Sequence, residues 1–319
     1  MALINVKVEK VVEEAEGVKS FLLTKTGLFK LPKYEPGAHL DVHCGKGVIR
    51  QYSLCGDPED RSHYMIAVKR EDASRGGSEQ MHDDIIVGQK LEIGSPRNNF
   101  KLDETAKRVV LLAGGIGITP IISMADRLHK LAIPFELHYF TRSEQHTAFH
   151  ERLSRCPYAS VVNFHVGFDV SQTTDYLNDI FGSYSKNSHA YICGPGPFMD
   201  SAENIAVETW PQTAIHLERF AANPALAGKP TTAFQVELRQ LGVTLDVGKD
   251  ETILSVLEAH EIEAAFSCEQ GVCGTCVTDV IEGSPDHRDS FLSEKERKAG
   301  KKMCICVSRT FDEIIVLNL

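Results

Sequence analysis

Four cysteines near the end of the chain constrain it more than any other feature. Cys268, Cys273 and Cys276 stand as C-x4-C-x2-C in the run SCEQGVCGTC, and Cys306 follows after 29 intervening residues. This is the spacing of a plant-type [2Fe–2S] site, in which four thiolates hold two irons. The short spacings let one loop wrap the centre, and the distant thiol closes it from another element. Gly271 and Gly274 suit a loop whose backbone must turn its amide N–H groups toward sulfur. A zinc ribbon would favour paired C-x2-C knuckles, and disulfides need an oxidising compartment that nothing in the sequence marks. Cys304 lies two residues before Cys306. On a strand the two would share a face, so spacing alone leaves the fourth ligand open between them. A one-electron carrier here implies a source of electrons upstream.

The chain has room for such a source, because 319 residues hold two or three domains with separate cores. Its net charge of −10 argues against nucleic-acid binding. From Pro230 to Leu319 there are 16 Asp and Glu against 9 Lys and Arg, so most of the excess sits around the cysteines. Such a face either steers a partner with a basic docking surface or simply aids solubility. The start, MALINVKVEK, has no apolar signal region. The most apolar stretch, 109–123, is broken by three glycines and a proline, which is too interrupted to span a bilayer. Cytoplasmic localisation and no membrane association are the expectation.

Three patterns follow one another along the sequence. In the first hundred residues, short alternating runs (VKVEKVV, HLDV, VIRQYSL, HYMIAV, KLEI) are separated by Gly, Pro and Asp turns, the signature of a sandwich or small barrel. From Arg108 strands alternate with helices: RVVLLA, TPIISMADRLHKL, FELHYFT and HAYICG predict a parallel sheet covered by helices. Residues 221–230 read as a linker. Beyond it FQVELRQLGVTLDV predicts a hairpin and ETILSVLEAH a helix. The boundaries fall at 1–103, 104–222 and 223–319.

The loop AGGIGITP, 113–120, follows a buried strand and opens a helix, the context of a dinucleotide-binding turn. Gly114, Gly115 and Gly117 would let the backbone approach a pyrophosphate. Thr119 would cap the helix, and Pro120 suits its first turn. A second loop, Cys193-Gly194-Pro195-Gly196-Pro197-Phe198-Met199, ends a later parallel strand, so both loops lie where open α/β sheets bind ligands. In the first domain Arg50-Gln51-Tyr52-Ser53 alternates, with Arg50 and Tyr52 on one face and Ser53 on the other. Arg50 can pair with a phosphate and Tyr52 can stack on a flat heterocycle. Lys69-Arg70 and the turn Arg75-Gly76-Gly77-Ser78 add a basic, glycine-rich cradle.

In this order, RQYSL, VKREDASRGGS, PRNNF, AGGIGITP, CGPGPFM and CEQGVCGTC…DHRDSFLS…CVSR resemble the phthalate dioxygenase reductase family, the reductase components of Rieske-type oxygenases. The resemblance runs over essentially the whole length. It implies an FMN-binding β-barrel, an α/β NAD domain of the ferredoxin-reductase type and a C-terminal α+β plant-type ferredoxin of β-grasp form. It also implies that NADH feeds electrons through FMN and the [2Fe–2S] cluster to a separate Rieske-type oxygenase. Flavin contacts would come from Arg50, Gln51, Tyr52, Ser53, Ala67, Val68, Lys69, Gly76, Gly77 and Ser78. Ser53 would lie near the reactive flavin nitrogen, and Phe220 would cover the other flavin face. Gly115, Gly117, Ile118, Thr119, Thr141, Arg142, Cys193, Gly194 and Pro195 would hold the nicotinamide cofactor, with Ser53 and Cys193 nearest the chemistry. Cys268, Cys273, Cys276 and Cys306 would bind the iron. Ser143 stands after Arg142 where relatives often carry an acid, and Arg142 can take a 2′-phosphate, so NADPH stays beside NADH. An FAD-containing reductase for a diiron hydroxylase or P450 is the alternative. The C-terminal ferredoxin counts against it, since those reductases more often carry theirs at the N-terminus. A redox-sensing module is a second alternative.

Overall fold

The computed structural model describes residues 3–27, 30–45, 48–71, 76–221 and 231–319. The expected linker lies almost wholly outside them, as does Arg75. Contacts divide the chain into two compact units, 1–218 and 219–319.

The first unit opens with six antiparallel strands: β1 (Ile4–Ala15), β2 (Val18–Lys25), β3 (His39–Gly45), β4 (Val48–Ser53), β5 (His63–Lys69) and β6 (Lys90–Ile93), in the order β4-β3-β6-β1-β2-β5. The sheet curls until its two ends meet. Leu54, just past β4, bridges to Ile66 on β5, and the Cys55 amide donates to the Met65 carbonyl at 2.9 Å. Closure removes the exposed sheet edges. Val6, Val8, Phe21, Leu23, Leu40, Val42, Tyr64 and Ile66 fill the interior, each an alternate residue of its strand. The turn expected at Gly76–Ser78 is instead the start of a helix, α1 (Gly77–Asp83), entered from Gly76 at φ 93°. Met81 of α1 is fully buried in the barrel core, which is what holds the segment helical.

A five-stranded parallel sheet follows: β7 (Arg108–Gly114), β8 (Phe135–Thr141), β9 (Val162–Val166), β10 (Ser188–Cys193) and β11 (Ile215–Glu218), in the order β11-β10-β7-β8-β9. The helices α2 (Ile118–Lys130), α3 (His150–Arg155), α4 (Val170–Phe181) and α5 (Gly196–Thr209) connect or flank these strands. The chain runs outward from β7 to β9 and then returns to the other side of β7, so the order reverses between β7 and β10. Crevices at such a switch point hold ligands beyond the carboxyl ends of the strands. Barrel and sheet share a core in which Val18, Cys55 and Ala67 join Ile118, Ile122 and Met124. The Lys130–Asp57 and Arg127–Glu59 ion pairs tie α2 to the barrel.

The second unit is a mixed sheet of β12 (Phe234–Leu238), β13 (Val243–Val247), β14 (Val277–Glu282), β16 (Lys302–Cys304) and β18 (Ile314–Leu317), in the order β13-β12-β18-β14-β16. Beside it lies a small ladder of β15 (Pro285–Asp286) and β17 (Arg309–Thr310). β12 and β13 form the expected hairpin. The expected helix is Ile253–Ala259, with Thr252 capping it reciprocally with Ser255. Its Ile253, Leu254, Val256 and Leu257 pack on the sheet in one core with Cys276, Cys304 and Cys306.

Candidate functional site

At the switch point the two glycine loops touch backbone to backbone. A Cβ on Gly117 would sit 2.1 Å from the Cys193 carbonyl oxygen, and one on Gly114 would sit 2.8 Å from Pro195 Cδ. These two glycines therefore serve the packing of loop on loop rather than the approach of a pyrophosphate. Gly115 differs: it lies at φ 51° with open space where its side chain would be. Thr119 does not cap α2. The helix starts at Ile118 with Gly117 before it, and the Thr119 hydroxyl donates back to the Ile116 carbonyl at 3.0 Å. Thr141 ends β8 buried, hydroxyl to hydroxyl with Thr147 at 2.8 Å. The neighbouring Arg142 guanidinium bonds to His146, whose other ring nitrogen lies 2.7 Å from the Ser143 hydroxyl. An open glycine loop and a guanidinium at the end of the next strand fit the phosphates and ribose of a nicotinamide dinucleotide.

On the barrel, Arg50 lies across the start of α1. A Cβ on Gly77 would be 2.4 Å from Arg50 Cγ, so only glycine leaves room for the arm. A guanidinium at a helix N-terminus suits a phosphate. Tyr52 is half-buried against the barrel core, one residue before the buried Ser53. Gln51 points away into a bond with Asp41 at 3.1 Å. Ala67 and Val68 are buried, and the Val68 carbonyl meets His82 Nε2 of α1 at 2.8 Å. Lys69 is engaged by Glu71 at 2.9 Å on the surface. The Ser78 hydroxyl accepts from the Glu71 amide. Phe220 is 38 % exposed and falls in the second unit.

Two cross-strand pairs meet where barrel and sheet join. His39 on β3 faces Ser53 on β4, and Cys193 on β10 faces Glu218 on β11. Ser53 Oγ donates to Glu218 Oε2 at 3.5 Å, and His39 Nδ1 lies 3.8 Å from Glu218 Oε1. Burial raises the Glu218 carboxyl to about 8, against the opposing pull of Ser53. Burial, then the charge of Glu218, pushes the Cys193 thiol well up. Both are therefore neutral acids near pH 7. Sequence reasoning passed over Glu218 and His39. The signal was present in IHLE, a parallel strand whose apolar run ends on a carboxylate at its buried carboxyl end.

In the second unit the four expected iron ligands are buried, and they sort into two pairs. Cys268 and Cys273 are hydrogen-bonded to each other, and Cys276 lies 3.2 Å from Cys306, sulfur to sulfur. No three metal-binding side chains among the described residues converge on a single ion. A two-iron cluster does not require it, since each iron takes two thiolates. The Gln270 and Thr275 amides donate to the sulfurs of Cys268 and Cys273 at 3.3 and 3.4 Å. Gly271 and Gly274 sit at φ 68° and 72°, and a side chain on either would strike Asp289 and Val307 or the Phe291 ring. Buried paired thiols, amides aimed at sulfur and obligatory glycines fit a [2Fe–2S] cluster. Cys304 and Cys306 do not share a strand face, because β16 ends at Cys304. The Ser308 amide closes a turn onto the Cys304 carbonyl, which swings Cys306 onto Cys276. Cys304 is also hydrogen-bonded to Cys276 but is wholly buried in the core.

Comparison with known proteins agrees with this geometry. The family described as 2Fe-2S iron-sulfur cluster binding domain matches residues 236–310, which contain all four thiols. Vanillate O-demethylase oxidoreductase of Pseudomonas sp. (strain HR199 / DSM 7063) is 43 % identical over 292 residues, covering 91 % of each chain. The solved phthalate dioxygenase reductase, described as a modular structure for electron transfer from pyridine nucleotides to [2Fe–2S], is 36 % identical at a TM-score of 0.77. That match covers 100 % of this chain and 98 % of the other. An intact type IV self-sufficient cytochrome P450 monooxygenase matches 99 % of this chain at 37 % identity and a TM-score of 0.86, across 41 % of its own longer length. That match includes the C-terminal iron–sulfur unit, so the position of the ferredoxin does not count against a haem acceptor. With barrel, parallel sheet and cysteine-bearing unit matched in order and over nearly full length, the chain belongs to the phthalate dioxygenase reductase family of flavin and iron–sulfur oxidoreductases.

Proposed function

We propose that the protein is an NADH-dependent reductase that delivers electrons through FMN and a [2Fe–2S] cluster to a separate Rieske-type oxygenase. The observation that carries this is the buried meeting of Ser53, Cys193 and Glu218, where the barrel strand bearing Arg50 joins the switch point of the parallel sheet. Arg50 and the start of α1 would hold the flavin phosphate, with Tyr52 against the ring. Gly115, Thr141 and Arg142 border the nucleotide crevice. Cys268, Cys273, Cys276 and Cys306 would hold the cluster. When bound, these groups supply hydride acceptance from NADH and release of its two electrons one at a time.

The chain's own residues set the surroundings of that transfer. The carboxyl of Glu218 is largely protonated near pH 7, with the Ser53 hydroxyl beside it. It therefore places a proton, not a fixed negative charge, at the junction. Cys193 is fully buried and neutral, so it adds bulk without charge and helps exclude water. Among the described residues no helix is long and apolar enough to cross a membrane.

The test is cofactor content together with acceptor choice. FMN, two irons and two sulfides per chain, with NADH-driven reduction of a purified Rieske oxygenase, are expected. FAD, or zinc without sulfide, would overturn the proposal. The full-length likeness to part of a P450 chain favours one second reading, a haem acceptor. Faster reduction of a P450 than of a Rieske protein would establish it.

A further inference from the structure

His39 is a buried ionisable side chain beside Ser53 and Glu218 that the proposed function leaves without work. It is 6 % exposed, and its main chain is held on both sides: it faces Ser53 on β4 and exchanges two backbone hydrogen bonds with Arg97, each 2.9 Å. The backbone is thereby fixed and the ring is buried. Nδ1 lies 3.8 Å from Glu218 Oε1, while Nε2 is buried with no partner among the described residues. That asymmetry fixes the tautomer. A buried N–H without an acceptor costs more than a buried lone pair without a donor. The proton therefore belongs on Nδ1, facing the carboxyl.

We propose that His39 is a positioning residue for Glu218: its Nδ1–H holds Oε1 and the Ser53 hydroxyl holds Oε2. While Glu218 is protonated its own proton lies on Oε2, shared with Ser53 Oγ. The carboxyl is thereby fixed at the point where barrel and sheet meet. This rests on the reductase function proposed above and assigns a further residue to it. The charged and titratable groups that face the ring are Arg97 and Asp41 from the barrel and Glu218 from the sheet, and Cys193 stands opposite Glu218 on the neighbouring strand. Arg97 and Asp41 are paired with each other at 2.8 Å. Burial first and Arg97 second hold the imidazole down to about 4, so it stays neutral while Glu218 titrates. Hydrogen bonds in such sites are often long before the reacting complex forms, and the 3.8 Å between Nδ1 and Oε1 is such an approach.

Two measurements on the full-length protein test the assignment. In 15N-histidine-labelled protein, His39 should show the Nδ1–H tautomer. Its ring shifts should follow a titration near pH 8 that vanishes in Glu218→Gln. A flat His39 signal through pH 8, or the Nε2–H tautomer, would overturn the proposal. In NADH–ferricyanide turnover, His39→Leu should lower kcat about tenfold with little change in KM, since orientation is what is lost. It should also move the alkaline limb up by about half a unit or more, because the carboxylate loses a donor. His39→Asn, which keeps a donor, should restore part of both. A His39→Leu protein with wild-type flavin content, rate and pH profile refutes the role. If instead wild-type protein binds no flavin or fails to oxidise NADH, the reductase reading falls. The NMR result would still decide whether His39 holds Glu218.

Discussion

Replacing Glu218 with glutamine should make the protein more stable, and increasingly so as the pH rises. The folded carboxyl titrates near 8 against an ordinary 4.5, so the native state keeps a proton that the unfolded chain has already lost. The stability tied to that proton is fully present below about 4.5 and disappears as pH rises through 8. Over this window of about 3.5 units, wild type falls behind the glutamine variant by about 1.36 kcal/mol per unit. The ceiling is about 5 kcal/mol at pH 8. Relaxation and water entry raise the effective dielectric, so a difference of about 2 kcal/mol is the working expectation. The chain supplies its own reporter, because Trp210 is its only tryptophan and is 2 % exposed in the core of the parallel sheet. Urea unfolding followed by Trp210 fluorescence at pH 5, 6.5 and 8 should show the two midpoints diverging. At about 2–4 °C per kcal/mol for a unit of this size, Tm should separate by several degrees at pH 8. Turnover should fall at the same time, since stability gained at a functional site is commonly activity lost. Parallel pH profiles for the two proteins would show that Glu218 is ionised normally, and the account of the junction would fail.

Three further outcomes follow from the geometry. Gly117→Ala puts a methyl 2.1 Å from the Cys193 carbonyl oxygen, where only backbone can yield. It should cost about 1–3 kcal/mol and raise the KM for NADH several-fold, as urea unfolding and steady-state kinetics would show. Cys306→Ser should abolish the visible absorption and iron content of the cluster, whereas Cys304→Ser should retain both. The reverse result would move the fourth ligand to Cys304. Removing the cluster with chelator and reductant should loosen residues 219–319, because Cys276, Cys304 and Cys306 are part of that unit's core. Hydrogen exchange should rise there while Trp210 fluorescence holds steady.

Much of the fold was legible because its signals are local and periodic. RVVLLA reads as a buried parallel strand, TPIISMADRLHKL as a helix and FQVELRQLGVTLDV as a hairpin, and each forms close to its expected bounds. The misreadings share a cause. RGGS has the composition of a turn, yet the chain turns helical at Gly77. Met81, four residues into the helix, is drawn into the barrel core, a tertiary contact with no local signature. Cys304 and Cys306 obey period two only if the strand continues, and nothing in MCICVS announces that it stops at Cys304.

The site shows the same division more sharply. Cysteine spacing declares a cluster because the ligands lie mostly in one loop, so sequence distance approximates spatial distance. The junction has no such shortcut: Ser53 and Glu218 are 165 residues apart and meet only once a barrel has closed and a parallel sheet has reversed its order. A carboxylate at a strand's buried end is chemically expensive, and that cost is itself the signal. Gly114 and Gly117 carry the complementary lesson. They look like phosphate-binding glycines, but the atom each would strike belongs to the neighbouring loop. Their smallness lets β7 and β10 end side by side, and this brings Cys193 and Glu218 to the barrel. The motif thus serves the site twice: Gly115 leaves space for a ligand, and its neighbours close the wall behind it.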